Sequence, residues 1–306
     1  MHDHEDYQLS RLDRHIRRLY GKSIPQSVIE KAVRSGAILI NEKKAKARDM
    51  VSGSDSISIN PSTIEILTKF DKRDSESPHR LSANFAKQFS DMIIYEDENI
   101  IMINKPAGLA AQLGSKTQYA VDVMAKSYNM EARLVHRIDK DTSGIVALAK
   151  NIETSRYMLE LFQFKRIRKK YIAIVDGHAP HAKWRISEPL LKRKDSVVID
   201  YDNGKEAITE FRVIKSPSAS SMTALEAIPI TGRTHQIRVH LASVNCPIVG
   251  DKKYGGSGYK RLCLHAYEIS FTLRSGELIK QRAEIPEYFL LDPFLKPMDA
   301  VENGRI

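Results

Sequence analysis

From residue 11 to residue 41 the apolar positions change period. Leu12 and Ile16, then Leu19, recur at helical spacing behind Ser10, a candidate N-cap, so the pattern predicts a helix opening at Arg11-Leu12-Asp13. Pro25 suits the first turn of a second helix through Val28, Ile29, Ala32 and Val33, which Ser35-Gly36 ends. Ala37 to Asn41 then reads as a strand leading into a basic turn. Between Thr68 and Ser90 the pattern lapses into Lys, Asp, Ser and Pro, which predicts a linker with a short helix near its end. Beyond Asp91 it becomes runs of β-branched residues bounded by Gly, Pro and Asn. Strands are predicted at 100–104, 145–149, 171–175, 208–214 and 223–228, with helices at 121–128 and 155–164. Strands dominate and helices intervene irregularly, so the fold class is α+β rather than a doubly wound parallel sheet.

Charge sharpens this picture. The 306 residues carry a formal net charge of +10, and 42% are hydrophobic, enough for a packed core. Between Gln8 and Met50 eleven Lys and Arg face four acids, so this short segment holds most of the excess. Arg11, Arg14 and Arg18 fall three and four apart, with Lys31 and Arg34 on the second helix. Two readings follow: a module that binds the phosphates of a polyanion, or a solvated helix face. A second basic cluster, Lys165, Arg166, Arg168, Lys169 and Lys170, precedes Tyr171 and carries the same pair of readings. No apolar run reaches the roughly 18–20 residues of a membrane span, and Met1 to Asp6 lacks the order of a signal peptide. Two cysteines, Cys246 and Cys263, are too few for a disulfide framework. A cytoplasmic, monomeric protein with no membrane partner is therefore expected.

The densest polar constellation is His136-Arg137-Ile138-Asp139-Lys140-Asp141-Thr142-Ser143-Gly144, just ahead of a predicted strand. A charged turn explains Asp141 to Gly144, since Gly144 permits positive φ. It does not explain the clustering of His136, Arg137 and Asp139 beside Val135 and Ile138. A metal site would need more ligands, and His235, His240 and His265 lack a zinc spacing. Ser143 lacks a nucleophile elbow, and no dinucleotide or Walker glycine pattern occurs. Thr231 to Leu241 forms a second constellation, with Arg233 expected at a corner before a helix opening near Thr234.

Two resemblances gather these observations. Arg11-Leu12-Asp13, Ile29 to Gly36 and Ile38 to Asn41 resemble the S4 RNA-binding domain; Glu42 replaces its usual Gly, and Ser54-Asp55 its Gly-Asp. The 136–144 segment resembles the signature of RluA-type pseudouridine synthases. Lys105-Pro106-Ala107-Gly108, Lys170-Tyr171-Ile172-Ala173, Gly232 to Arg238 with His240, and Gly250-Asp251 with Tyr254-Gly255 match further motifs in the family's order. Ala110-Ala111-Gln112 departs from it, where many relatives have Val-His.

The resemblance implies an S4-like module at residues 8–67, a linker at 68–90 and a mixed, mostly antiparallel-sheet catalytic domain at 91–306. It implies isomerisation of uridine to pseudouridine in large-subunit (23S) ribosomal RNA, without cofactor or metal. Asp139, Tyr171 and Arg233 are the implied catalytic set, with Arg233 pairing with Asp139. Arg137 would fill the space of the extruded base, His136 would support the loop, and Arg238 would be structural. Arg11, Arg14, Arg18, Lys31 and Arg34 would bind RNA. Transfer RNA as substrate, and a catalytically silent ribosome-assembly protein, are the alternatives; Asp139, Tyr171 and Arg233 together speak against the second.

Overall fold

The computed structural model describes residues 9–21, 24–72, 78–114, 119–194, 196–216 and 221–289, with no side chains described at 69–82. Met1 to Asp6, Lys22 and the 73–77 part of the expected linker lie outside the described residues. The chain divides into two compact units, residues 1–84 and 85–306.

In the first unit, helices Leu12–Tyr20 and Gln26–Arg34 pack with a three-stranded sheet formed by Lys43–Lys44, Ile38–Ile40 and Ile57–Ile59. Leu12, Ile16, Ile29, Val33 and Ile38 are buried in its core. Leu19, expected on the apolar face, is 57% exposed, and Tyr20 packs there instead. Ser10 does not cap the helix. It pairs with Val51 in a short ladder, and the first helical amides, of Leu12 and Asp13, donate to the carbonyls of Asp49 and Ala47. Neighbouring chain thus satisfies donors that a capping side chain would otherwise serve. Asn41 and Glu42 form a two-residue hairpin turn with φ of 48° and 63°, the left-handed pair that such a turn requires. The Asn41 side-chain amide donates to the Asp55 carboxylate and accepts from the Ser56 N–H, tying the turn to the 55–56 segment. The stretch read as linker holds much regular structure, in helices Pro61–Lys72 and Pro78–Ser90. Leu67 is buried in the first unit's core and Phe89 in that of the second.

The second unit is built on a ten-stranded, mixed sheet. Its main path runs Lys183–Ile186, Thr209–Lys215, Met222–Pro229, Arg168–Asp176, Leu264–Thr272, Ser143–Ala149, Ile100–Lys105, Ile93–Glu96. Each strand predicted from β-branched runs is present; four are extended by a residue or more, and the fifth, expected at 208–214, is Thr209–Lys215. All neighbours on the path are antiparallel except Ser143–Ala149 with Leu264–Thr272, which pair in parallel at two positions, His265 with Ser143 and Ala266 with Gly144. Beyond Gly144 those two strands diverge. The edge they leave is taken up at Leu148 and Ala149 by the short strand Arg133–Leu134. Between the two pairings, the Ala147 N–H donates to His136 Nε2 at 2.9 Å. The fork in the sheet is where the 135–142 segment runs.

The Ser143 hydroxyl anchors the parallel pair, contacting His265 Nδ1 at 2.9 Å and the Tyr288 hydroxyl at 3.0 Å. Next to Tyr288, Phe289 is fully buried. Gly144 has φ of 108°, and a Cβ there would collide with the Ala266 backbone. Gly144→Ala combines backbone strain with that collision and should cost about 3 kcal/mol or more. Urea unfolding of the variant measures this, and an unchanged midpoint would contradict the close approach.

Candidate active site

Apolar residues and one buried amine hold the 135–142 segment. Val135 and Ile138 point into the core. Lys105, fully buried at its strand's end, donates from Nζ to the carbonyls of Pro106, Leu109 and Lys140 at 3.0, 2.7 and 3.0 Å. Three carbonyls use all three ammonium protons. The Gly108 N–H also donates to the Lys140 carbonyl, and the Thr142 N–H to that of Asp139. The Asp139 carboxylate is thus presented from a pinned turn, one-fifth exposed, into a cavity of about 270 Å³.

Tyr171 enters the same cavity from the strand Arg168–Asp176. The register of that strand shifts between Lys170 and Tyr171, and such a bulge re-aims a side chain. Phe162 contributes a wall, its ring stacked on His136 at 4.8 Å between centroids. Arg137 is exposed at the rim.

The third wall comes from Thr231 to Arg238. Gln236 organises it: its side-chain oxygen accepts from the Arg233 N–H and the Thr231 hydroxyl, while its nitrogen donates to the Ile208 carbonyl and the Thr209 hydroxyl. The helix begins at Gln236, two residues later than expected, because His235 adopts a left-handed φ of 53°. That phase decides which arginine meets the aspartate. Arg238, in the first turn, is buried, and its Nη1 lies 3.5 Å from Asp139 Oδ2. Its Nε and Nη2 each donate to Asp251 at 2.8 Å. Arg233 precedes the turn and donates from Nε to the Glu206 carbonyl at 3.0 Å. The expected pairing of Arg233 with Asp139 is therefore corrected: both line one cavity, but the partner is Arg238. His235 Nε2 is 3.8 Å from the same Asp139 oxygen, and its Nδ1 contacts the Tyr254 hydroxyl at 2.8 Å.

Burial sets the protonation of the cavity's groups. It pushes the Tyr171 hydroxyl well above the usual tyrosine range, and the charge of Asp139 adds to the rise. It pulls His136 down to about 3, with Lys169 adding to the fall. Burial also outweighs the attraction of Asp139 at His235, which is held below the ordinary histidine value. Both imidazoles are neutral at pH 7. Lys169 is drawn down to about 8 by burial, and among the described residues no carboxylate lies within ion-pair distance of it.

Of the other basic cluster, Lys165 pairs with Glu206, and Lys170 with Glu226 and Glu268. In the first unit, the helix begins at Leu12, so Arg11 lies outside it and is paired with Asp13 at 2.7 Å. The expected stripe is reduced to Arg14, exposed, and Arg18, which contacts His15 Nδ1 at 3.0 Å. Lys31 and Arg34 are exposed on the second helix, and the Arg34 Nε reaches the Glu30 carbonyl. Sequence reasoning missed Asp251 and Lys105 as supports of the site, although both stood within matched motifs. Among the described residues no helix is long and apolar enough to cross a membrane.

Residues 99–243 match the family described as RNA pseudouridylate synthase. The ribosomal large subunit pseudouridine synthase C of Rickettsia bellii is 39% identical over 296 residues, 92% of this chain and 96% of its own. The protein of that name from Vibrio vulnificus is 38% identical over 282 residues, 88% of this chain and 86% of its own. Among solved structures, human RNA pseudouridylate synthase domain containing 4 superposes with a TM-score of 0.59 at 26% identity, covering 69% of this chain and 94% of that one.

Lys169 gives the cavity a cation that titrates near neutrality. Its charge is present below pH 8 and lost above it, so a short uridine-containing RNA should bind more weakly as pH rises through about 8. Lys169→Arg should abolish that dependence. Parallel pH profiles for the two proteins would contradict it.

Proposed function

Since the chain belongs to the RNA pseudouridylate synthase family, we propose that it isomerises specific uridines of large-subunit ribosomal RNA to pseudouridine, with Asp139 as the working carboxylate. The observation that carries this reading is the carboxylate itself: it sits in a one-nucleoside cavity with a buried arginine 3.5 Å away and a protonated tyrosine beside it. The similarity to the Rickettsia bellii large-subunit enzyme over 92% of the chain supports the choice of RNA.

The reaction detaches uracil from ribose and rejoins it through carbon, so it needs a carboxylate near C1′ or C6. The Asp139 carboxylate can act on the sugar, on the base or on a proton. Arg238 is a positioning residue: its Nη1, 3.5 Å from Asp139 Oδ2, holds the carboxylate in place. Tyr171 offers its ring to the uracil and keeps its hydroxyl proton for donation. The uridine must leave its stack, at a cost of a few kcal/mol, and Arg137 at the rim is suited to fill the vacated space. Among the described residues the Arg233 guanidinium is engaged through Nε alone, by the Glu206 carbonyl, which leaves its outer nitrogens for substrate oxygens. His136 supports the loop through the Ala147 amide and does not titrate.

The first unit is proposed to bind RNA as an S4-like module, through Arg14, Arg18, Lys31 and Arg34, with Arg11 serving mainly to hold Asp13. Its excess of cations suits a phosphate backbone.

Asp139→Asn keeps the shape and removes the charge. Pseudouridine formation on unmodified large-subunit ribosomal RNA should fall by roughly a thousandfold or more, with RNA affinity retained. Arg238→Ala should approach that loss, and Arg233→Ala should fall well short of it. An active Asp139→Asn enzyme would end the assignment; the reverse order for the two arginines would restore Arg233 as the partner. Replacing Arg14, Arg18 and Lys31 together by Ala should reduce the salt slope of RNA binding by about 0.7–0.9 for every phosphate that is no longer neutralised. An unchanged slope would make that face merely solvated.

A further inference from the structure

A second cavity, of about 640 Å³, shares His235 and Arg238 with the cavity around Asp139. Lys252, Lys253, Lys260 and Arg261 line it, all exposed. Among the described residues none of the four lies within ion-pair distance of a carboxylate. Asp141 is the one carboxylate on its wall, and Arg238 is already neutralised by Asp251. Four cations therefore face one acid in a concave surface. Basic loops are usually just solvated, but two features separate this one from that case.

The first is preorganisation. Asp251, fully buried, accepts from the N–H groups of Lys253 and Tyr254 with the same carboxylate that clamps Arg238. The Gly256 N–H donates to the Asp251 carbonyl, and the Gly250 N–H to that of Ser257. Arg261 is steadied over the Tyr288 ring at 5.6 Å. The second is continuity. The two cavities meet at His235 and Arg238, so a strand with one nucleoside beside Asp139 has its neighbouring phosphates within reach of the second.

We propose that this cavity is a phosphate groove for the RNA segment adjoining the target uridine, with Lys252, Lys253, Lys260 and Arg261 contacting its backbone. The proposal rests on the isomerase reading of the Asp139 cavity. Backbone contacts of this kind fix register without reading sequence. Asp251 joins the groove to Arg238, so a strand held by its phosphates is in fixed register with Asp139.

The test uses the full chain with Lys252, Lys253 and Lys260 all replaced by Ala, and Arg261→Gln as a separate variant. With unmodified large-subunit ribosomal RNA, the triple variant should show KM raised roughly tenfold and kcat within about twofold of the parent. Fragments that end immediately 5′ or immediately 3′ of the modified uridine resolve the direction. One of them should bind parent and variant alike, because it lacks the segment the groove holds. In an Asp139→Asn background, the salt slope for a twelve-residue oligouridylate should fall by about 0.7 for each lysine removed. Unchanged KM and slope would overturn the groove, as would a loss confined to kcat or an equal loss on both fragments. An acidic protein captured by the parent and released by the variant, with RNA slopes unchanged, would reassign the surface and overturn it too. If the parent converts no uridine, the isomerase reading fails, while the oligouridylate slopes still decide whether the cavity binds phosphates.

Discussion

Arg238 is charged, buried, and gripped through two nitrogens by Asp251, which leaves its third facing Asp139. A guanidinium in that position has little freedom to do anything else. Removing one partner from a buried pair typically costs about 3–5 kcal/mol, because the other charge is left without compensation. The arrangement therefore transmits position: the carboxylate at the back fixes the arginine, and the arginine fixes the carboxylate at the front. Gln236 secures the start of the same helix from below, with its side-chain oxygen and nitrogen both engaged. Rigid support of this kind keeps a reactive group aimed before any ligand arrives.

The sheet supplies the other half of the geometry. A continuous ladder between Ser143–Ala149 and Leu264–Thr272 would leave no room for the 135–142 segment. Divergence after Gly144 opens the fork, and His136 takes the amide that the missing ladder would have used. No buried backbone donor need go unpaired there, which is what makes an opening in a sheet tolerable. Lys105 then draws three carbonyls together, so that Asp139 leaves the fork from a fixed turn.

Much of this was legible in the sequence, and the exceptions share a cause. Runs such as Ile100 to Asn104 and Ile145 to Ala149 announce buried strands because burial on both faces demands continuous apolar residues. The clustering of His136, Arg137 and Asp139 likewise pointed to the cavity they line. What failed depended on tertiary placement. Ser10 has the chemistry of a cap, but the carbonyls of Ala47 and Asp49 reached the helix first. Leu19 has the right phase and lies at a helix end beyond the core. Arg233 and Arg238 look alike in sequence, and tertiary placement, with a left-handed His235 before the helix and Asp251 gripping Arg238, sets which of them faces Asp139. Lys165, Lys169 and Lys170 look alike in sequence; two are paired with acids and one lines the cavity.

Ser143 and Tyr288 meet across 145 positions of chain, with Phe289 buried beside them. During synthesis at roughly 5–20 residues per second, the tyrosine emerges about 7–30 s after the serine it holds. Strand Leu264–Thr272, the parallel neighbour of Ser143, is also late. The first unit draws its core from the first 84 residues and has no such wait. The growing chain thus carries a finished basic module well before the fork around Asp139 can close, and the order of translation alone separates the completion of the two units.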